Sequence, residues 1–234
     1  MLSPRTVTFY VVAHADDWQL FMNPETFKDI KATNKVVIIV TTAGDAGMSK
    51  VFWKAREEGM KSSIVFCLSP FTSVSFETHT KIIDQFRFNY YSLNNVFFYF
   101  LRLPDGGLDG KGFSSNEYQS LSKLKSSSLK QIISLDGSFY FESWEQFCKT
   151  LEKIILGECD KDDNIHVKYL NPDKGKNSHD HPDHKATGEA ISSFTKFTFH
   201  QSLFAGYGNS STETLPLEDI FWKAAIFAAY EKTV

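Results

Sequence analysis

Four short runs of apolar residues recur along the chain, and none of them shows the polar alternation of a half-exposed strand. Aromatic and β-branched side chains dominate residues 6–12, 36–41, 96–101 and 165–170. Strands of a parallel sheet are buried on both faces and therefore have this continuous apolar character. We predict a buried parallel strand at each of the four positions.

Segments with helical signals lie between these runs. An asparagine followed by a proline predicts a helix over 24–32, and opposite charges three or four residues apart predict another over 49–66. Ser143 opens a capping-box spacing, and apolar residues follow at helical intervals up to Gly157. A further helix is predicted to begin at Pro182.

The alternation of strands with helical crossovers predicts an α/β fold with a mostly parallel sheet. No internal repeat or linker divides the chain, so we expect a single domain over residues 1–234. Periodicity is weak over 69–95 and 201–215, where loops and inserted strands are both open.

Charge and composition exclude several classes of function. The 234 residues carry a formal net charge of −3, which gives no basic field for nucleic acid or an anionic membrane surface. No apolar run approaches the roughly 18 residues that a membrane span requires. The three cysteines form no CxxC pair, and the first residues lack a signal-peptide cleavage pattern. We expect no disulfide framework, no thiolate zinc site and a cytoplasmic location.

Imidazole and carboxylate groups are concentrated at two predicted strand ends. His14 and Asp17 follow the first strand, and His184 lies at the start of the helix that opens at Pro182. Ligands of open parallel sheets bind at the carboxyl ends of the strands. Two histidines and one carboxylate are typical ligands of a catalytic zinc, which keeps a position for water. We predict that these three residues hold one metal ion.

Two neighbouring residues complete a hydrolytic site in this hypothesis. Asp16 is adjacent to a ligand and could take the proton of the attacking water as general base. His181 lies one helical turn before His184 and could stabilise the tetrahedral oxyanion or protonate the leaving amine. Taken one at a time, these residues have structural alternatives, because a single histidine after a strand is often hydrogen-bonded and paired aspartates often form turns or caps. Asp180 and Asp183 could likewise complement a helix dipole.

Five motifs in the same order resemble those of the PIG-L/LmbE family of zinc-dependent N-deacetylases, which remove acetyl groups from glucosamine-type amides. The family pattern opens with Ala-His-Pro-Asp-Asp-Glu and closes with His-Pro-Asp-His. The corresponding segments are Ala13-His14-Ala15-Asp16-Asp17-Trp18, Thr41-Thr42-Ala43-Gly44-Asp45, Arg56-Glu57-Glu58, Leu103-Pro104-Asp105-Gly106 and His181-Pro182-Asp183-His184. The resemblance spans residues 6 to about 195.

The resemblance implies a Rossmann-like three-layer α/β/α fold and a role for individual residues. It implies metal ligation by the three residues named above, Asp16 as general base and His181 as the residue that stabilises the transition state. Arg56 matches an arginine that faces the substrate pocket, although a surface pair with neighbouring glutamates is the alternative. Asp183 matches a position that supports a histidine from behind, as metal-bound imidazoles usually require.

Two departures from the family pattern bear on the substrate. Trp18 stands where the family has a glutamate, and its ring could stack on a sugar or pack in the core. Near the end of the sequence, Lys223-Ala224-Ala225 continues to Ala229-Tyr230-Glu231 where many members carry a His-x-Ser-Gln ending.

The leading hypothesis is a Zn²⁺ hydrolase that removes an N-acetyl or similar acyl group from a small-molecule amino sugar, such as an N-acetylglucosamine derivative. A non-catalytic, metal-dependent carbohydrate-binding homologue and a hydrolase of a non-sugar amide are the alternatives. Iron or manganese could occupy similar ligands. A homo-oligomer is possible, and the sequence leaves the oligomeric state open.

Overall fold

The computed structural model describes residues 5–32, 34–195, 197–207 and 214–234. The described residues form nine strands and seven α-helices. The strands are β1 (Thr6–Val12), β2 (Lys35–Thr42), β3 (Phe76–Ile83), β4 (Phe86–Leu93), β5 (Val96–Leu103), β6 (Ile132–Ile133), β7 (Tyr140–Phe141), β8 (Asn164–Leu170) and β9 (His200–Phe204). The helices are α1 (Asp17–Phe21), α2 (Glu25–Lys31), α3 (Lys50–Leu68), α4 (Leu121–Lys125), α5 (Trp144–Leu156), α6 (Pro182–Ser192) and α7 (Leu217–Glu231).

Seven strands form one sheet in the order β3-β4-β5-β2-β1-β8-β9, and β6 and β7 pair separately. The pairs that join β5, β2, β1, β8 and β9 are parallel, whereas β3 and β4 form an antiparallel extension on one side. Helices cover both faces of the sheet. The predicted three-layer α/β/α fold with a mostly parallel sheet is therefore confirmed.

Alternate side chains of the central strands feed two separate hydrophobic cores. Phe9 and Val11 of β1 point into the core that α4, α5 and α6 cover. Tyr10 and Val12 point into the opposite core, which contains residues of α1, α2, α3 and α7. This two-sided burial explains why the central strands carry no polar alternation.

The four predicted strands lie within β1, β2, β5 and β8, and the predicted helices correspond to α2, α3, α5 and α6. The Ser143 side chain accepts a hydrogen bond from the backbone N–H of Gln146 at 3.2 Å, as the capping-box spacing predicts. The backbone N–H of Glu142 in turn donates to the Gln146 side chain at 2.7 Å.

The two stretches of weak periodicity contain inserted strands. Residues 69–95 include the β3–β4 hairpin, and β9 overlaps the start of 201–215, whereas 208–213 lie outside the described residues. Most side chains of β3 are exposed or half-buried at the sheet edge, so this strand has no apolar pattern. Sequence reasoning also missed α1, which has only five residues, and α7. None of the described helices combines the length and the apolar character needed to cross a bilayer.

Helix α7 packs closely against α3. The Ser63 hydroxyl of α3 donates to the backbone carbonyl of Ile226 at 2.8 Å. Gly59 makes the approach possible, because a Cβ there would lie 2.8 Å from Cδ2 of Tyr230 and 3.0 Å from its backbone oxygen. A side chain at position 59 would therefore push α7 away from α3.

We expect Gly59→Ala to destabilise the protein by about 1–3 kcal/mol, because the added methyl group overpacks the α3–α7 contact. Chemical denaturation of the variant and the parent measures the change. Val65→Ala on the same helix is the control: its side chain is 38% exposed, so it should change stability by no more than about 0.5 kcal/mol. A Gly59→Ala protein as stable as the parent would show that α7 does not depend on this approach.

Candidate metal centre

The parallel strands bring four loops to one edge of the sheet. His14 follows β1, Gly44 follows β2, Asp105 follows β5 and His181 lies in the long connection after β8. The ends of β1 and β2 are tied by the backbone N–H of Thr42, which donates to the carbonyl of Ala13 at 2.9 Å. Residues far apart in sequence thus meet where open α/β sheets bind ligands.

Asp17 is the first residue of α1, and its carboxylate is fixed by backbone hydrogen bonds. Its Oδ2 accepts from the N–H groups of Ala13 at 3.0 Å and His14 at 2.8 Å. The other oxygen, Oδ1, is therefore oriented toward the two histidines. The side chain is 1% exposed, so this charge is held almost without water.

Three candidate ligand atoms converge. Nε2 of His184 lies 3.1 Å from Oδ1 of Asp17 and 3.2 Å from Nδ1 of His14, and the latter two atoms are 3.5 Å apart. Ligand atoms about 2.0–2.2 Å from a tetrahedral zinc lie roughly 3.3–3.6 Å from one another. The described residues present two imidazole nitrogens and one carboxylate oxygen at nearly this spacing, so the donor set fits a divalent ion.

A further carboxylate orients His184 from behind. Nδ1 of His184 lies 2.7 Å from Oδ1 of Asp180, and Oδ2 of Asp180 accepts from the Asn177 amide at 2.6 Å. The backbone N–H of Tyr207 also donates to Asp180 Oδ1, at 3.1 Å. Carboxylates in this position fix the tautomer and the ring plane of a metal-binding histidine. Sequence reasoning gave Asp180 only a helix-dipole alternative, although its position four residues before His184 is a signal for this contact.

Asp183 occupies the corresponding place beside His14. Its Oδ2 lies 3.6 Å from Nε2 of His14 and accepts the backbone N–H of Gly106 at 2.8 Å. Within the described part of the chain, Nε2 of His14 and Oδ1 of Asp183 are buried without a hydrogen-bond partner. The Asp183 carboxylate thus lies beside His14 at a distance longer than a hydrogen bond, and its supporting role stays a prediction.

His181 lies at the N-cap of α6 with its imidazole in a defined orientation. Its Nδ1 accepts the backbone N–H of Asp183 at 3.2 Å, so the neutral ring carries its proton on Nε2. Burial, reinforced by the charge of His14, lowers the pKa of His181. The Nε2 atom points toward Asp105, whose Oδ1 is 3.8 Å away. His181 is therefore a neutral hydrogen-bond donor at the edge of the centre.

Asp16 forms an ion pair with Arg56, which reaches the centre from α3. Nη2 of Arg56 donates to Oδ1 of Asp16 at 2.5 Å, and both side chains are less than a fifth exposed. Burial raises the pKa of Asp16, and the guanidinium opposes part of that shift. Arg56 is thus not the surface partner of neighbouring glutamates, since Glu57 pairs with Lys54 and Arg102 instead.

The loops after β2 and β5 brace each other through aspartates that sequence reasoning did not assign. Oδ1 of Asp45 accepts the backbone N–H of Asp105 at 2.9 Å, and Oδ2 accepts from the Asn116 amide at 2.6 Å. Oδ1 of Asp105 accepts the N–H of Gly107 at 2.7 Å. These bonds fix the Asp105 carboxylate near His181. The positions of Asp45 and Asp105 inside loop motifs were the available signal.

The prediction that Trp18 binds substrate is wrong in this structure. The indole is fully buried in the core on the α1 side of the sheet, among residues such as Tyr10 and Met22. A ring without exposed surface cannot stack on a sugar. Trp18 therefore packs in the core, which was the alternative interpretation. Phe21 and Tyr207 are the aromatic residues beside the ligands, with ring centroids 5.6 Å from that of His184 in both cases.

The fold and the site define a member of a deacetylase family. The family model described as "PIG-L: GlcNAc-PI de-N-acetylase" matches residues 9–195, and the chain therefore belongs to the PIG-L family. This confirms the resemblance stated from the sequence. None of the curated proteins compared with the chain matches its sequence.

Two solved structures are similar in fold. The N,N'-diacetylchitobiose deacetylase from Pyrococcus horikoshii, complexed with its inhibitor MPG, is 13% identical with a TM-score of 0.56, over 98% of this chain and 71% of that one. The conserved protein TT1542 from Thermus thermophilus is 15% identical with a TM-score of 0.49, over 95% and 78% of the two chains. At such identities the first likeness concerns the fold alone.

We expect metal binding at this centre to release protons and to strengthen as pH rises. Burial lowers the pKa of His184, but Asp17 and Asp180 outweigh it and raise the value from 6.5 to about 9. A divalent ion must displace that proton before the imidazole can bind it. Calorimetry with Zn²⁺ in buffers of different ionisation enthalpy should show at least one proton released per ion at neutral pH.

The raised pKa of His184 has the opposite effect on the stability of the metal-free protein, which falls as pH rises. A histidine with a raised pKa adds stability that is fully present below pH 6.5 and is lost as pH rises through about 9. Thermal unfolding of the protein after a chelator has removed any metal, measured from pH 6.5 to about 9, tests this loss of stability. Zinc binding without proton release would contradict the convergence of His184 on the ion.

Proposed function

We propose that the protein is a metal-dependent N-deacetylase that removes an N-acetyl or similar acyl group from a small amino sugar or sugar conjugate. One observation carries this proposal: His14, Asp17 and His184 converge within 3.5 Å of one another, with Asp16 and His181 beside them. Membership of a family described by a de-N-acetylase supports the same reaction. An N-acetylglucosamine derivative is the substrate that we propose.

The ligand set favours zinc, because two imidazole nitrogens and one carboxylate oxygen are typical ligands of a catalytic Zn²⁺. Iron and manganese bind similar sets, and metal analysis distinguishes them. When bound, such an ion lowers the pKa of a water molecule to about 7 and polarises a carbonyl oxygen. In this proposal it would be held by His14 Nδ1, Asp17 Oδ1 and His184 Nε2.

The residues of the chain move the protons. Asp16 takes one proton from the water whose oxygen adds to the amide carbonyl carbon. The Arg56 guanidinium holds one Asp16 oxygen, so the carboxylate keeps a fixed direction while its second oxygen serves as base. The proton then passes to the amine nitrogen as the C–N bond breaks, which yields the free amine and acetic acid, and the acid then ionises to acetate in water. His181 donates its Nε2–H to the oxyanion of the tetrahedral intermediate.

The position of Trp18 bears on the alternatives. The case for a non-catalytic carbohydrate-binding role depends on an aromatic residue in place of the family glutamate, but that residue lies in the core. The base and the oxyanion donor are both present beside the ligands, which favours turnover. Phe21 and Tyr207, whose ring centroids are 4.9 Å apart, instead border an open cleft of about 920 Å³ and are the proposed apolar wall for the substrate.

Replacement of the proposed base should abolish most of the activity and leave the metal in place. We expect Asp16→Asn to lower kcat by about 10²–10⁴-fold, because the amide cannot take the proton of the attacking water. Amine release from N-acetylglucosamine derivatives and zinc content measure the two effects. A control is Asp29→Asn, since Asp29 of α2 accepts hydrogen bonds from Tyr10 of β1 and Lys168 of β8, and this variant should retain kcat. An Asp16→Asn protein as active as the parent would overturn the mechanism.

His181→Ala should lower kcat by about 10²–10³-fold, since the variant loses the positioned Nε2–H donor at the oxyanion. Zinc content should remain equal to that of the parent, because His181 lies outside the converging ligand set in this proposal. Steady-state kinetics with the same substrates and metal analysis check the expectation. A loss of bound zinc that parallels the loss of kcat would instead make His181 a ligand.

A further inference from the structure

Tyr230 of α7 reaches the candidate active site from outside the residues that match the family. The match ends at residue 195, whereas α7 spans Leu217–Glu231. The Tyr230 side chain is buried, and its ring lies 6.0 Å from Cζ of Arg56, within the range of a cation–π contact. A helix that carries no family motif thus contributes to the surroundings of the Asp16–Arg56 pair.

Arg56 lies in a narrow slot with three different walls. Gly44, at φ +56°, forms one wall, because a Cβ there would lie 3.0 Å from both Nε and Nη2 of Arg56. The ring of Phe52 lies 5.9 Å from Cζ, and that of Tyr230 forms the wall contributed by α7. Asp16 closes the end of the slot through its hydrogen bond to Nη2.

The position of Tyr230 is itself fixed by α3. Gly59 admits its ring, as described for the α3–α7 contact, and Phe227 stacks on it with centroids 5.9 Å apart. Its hydroxyl is buried and makes no hydrogen bond within the described part of the chain. After burial, the charge of Asp16 is the largest influence that raises the pKa of this phenol, consistent with its closeness to the pair. Among the described residues, the Tyr230 side chain therefore supplies ring contacts but no hydrogen bond.

We propose that Tyr230 is a positioning residue, whose ring holds the Arg56 guanidinium in line with Asp16 and thereby aims the general base. The inference rests on the proposed function for its catalytic consequence, but the contact itself can be measured without a substrate. The ring acts on Arg56, and Arg56 acts on the base, so loss of the ring should impair the chemical step rather than substrate binding.

The test uses two variants of Tyr230 in the full-length protein. Tyr230→Leu removes the aromatic face, and we expect kcat to fall about tenfold with KM and zinc content unchanged. Tyr230→Phe keeps the face and should retain the kcat of the parent and a melting temperature at least as high. Trp222→Leu is the matched control, because it removes a ring of α7 that stacks on Phe27 instead of Tyr230 and should leave kcat unchanged. Loss of kcat in Tyr230→Phe, or an equal loss in Trp222→Leu, would overturn the positioning role.

A double-mutant cycle separates this inference from the proposed function. Tyr230→Leu and Arg56→Met, alone and together, are compared by chemical denaturation, which requires no substrate. We expect the double variant to be more stable than the sum of the single effects predicts, because the two side chains share one contact. Additive effects would show that the two side chains do not interact and would overturn the inference, even if the protein is a deacetylase. Coupled effects in a protein without deacetylase activity would support the contact and would reject only the proposed reaction.

Discussion

The site depends on the burial of one carboxylate between two histidines. The side chain of Asp17 is almost completely buried, and a buried charge is tolerated only when it is hydrogen-bonded and paired. Its two oxygens have separate tasks, since one is held by backbone N–H groups of the loop after β1 and the other faces the imidazoles. Burial raises the pKa of Asp17, but His184 and His14 outweigh it and lower the value well below its usual range. The loop, the start of α1 and the start of α6 are arranged around this charge.

Supporting carboxylates extend the arrangement outward. Asp180 stands behind His184 and Asp183 beside His14, and each is held in turn by a backbone N–H group from another loop. The orientation of the candidate ligand atoms is thus determined by contacts that the two histidines make with residues further from the centre.

The sequence predicted the parts that depend on local patterns or contiguous motifs. Continuous apolar runs identified β1, β2, β5 and β8 because both faces of these strands are buried. Strand β3 escaped the same reasoning because it lies exposed at the edge of the sheet. The five motifs indicated His14, Asp17 and His184, and the structure brings these side chains together.

Contacts between distant segments could not be predicted in this way. Trp18 was assigned to the substrate by its nearness in sequence to Asp17, but successive residues of a helix point in different directions, and its ring turns into the core. The approach of Tyr207 to Asp180 and of Tyr230 to Arg56 depends on how β9 and α7 return to the sheet. Neither segment carries a sequence motif that predicts where it packs.

Because the two cores lie on opposite faces of the sheet, an ion at the candidate metal centre would affect how the two helical layers are held together. Asp17 belongs to a helix of one layer and His184 to a helix of the other, and their side chains meet at the ends of the strands. An ion shared by both residues would cross-link the outer layers over the rim of the sheet, much as a disulfide joins distant parts of a chain. The candidate metal centre would then also hold the two layers together, and the rigidity of this end of the molecule would depend on whether an ion is bound.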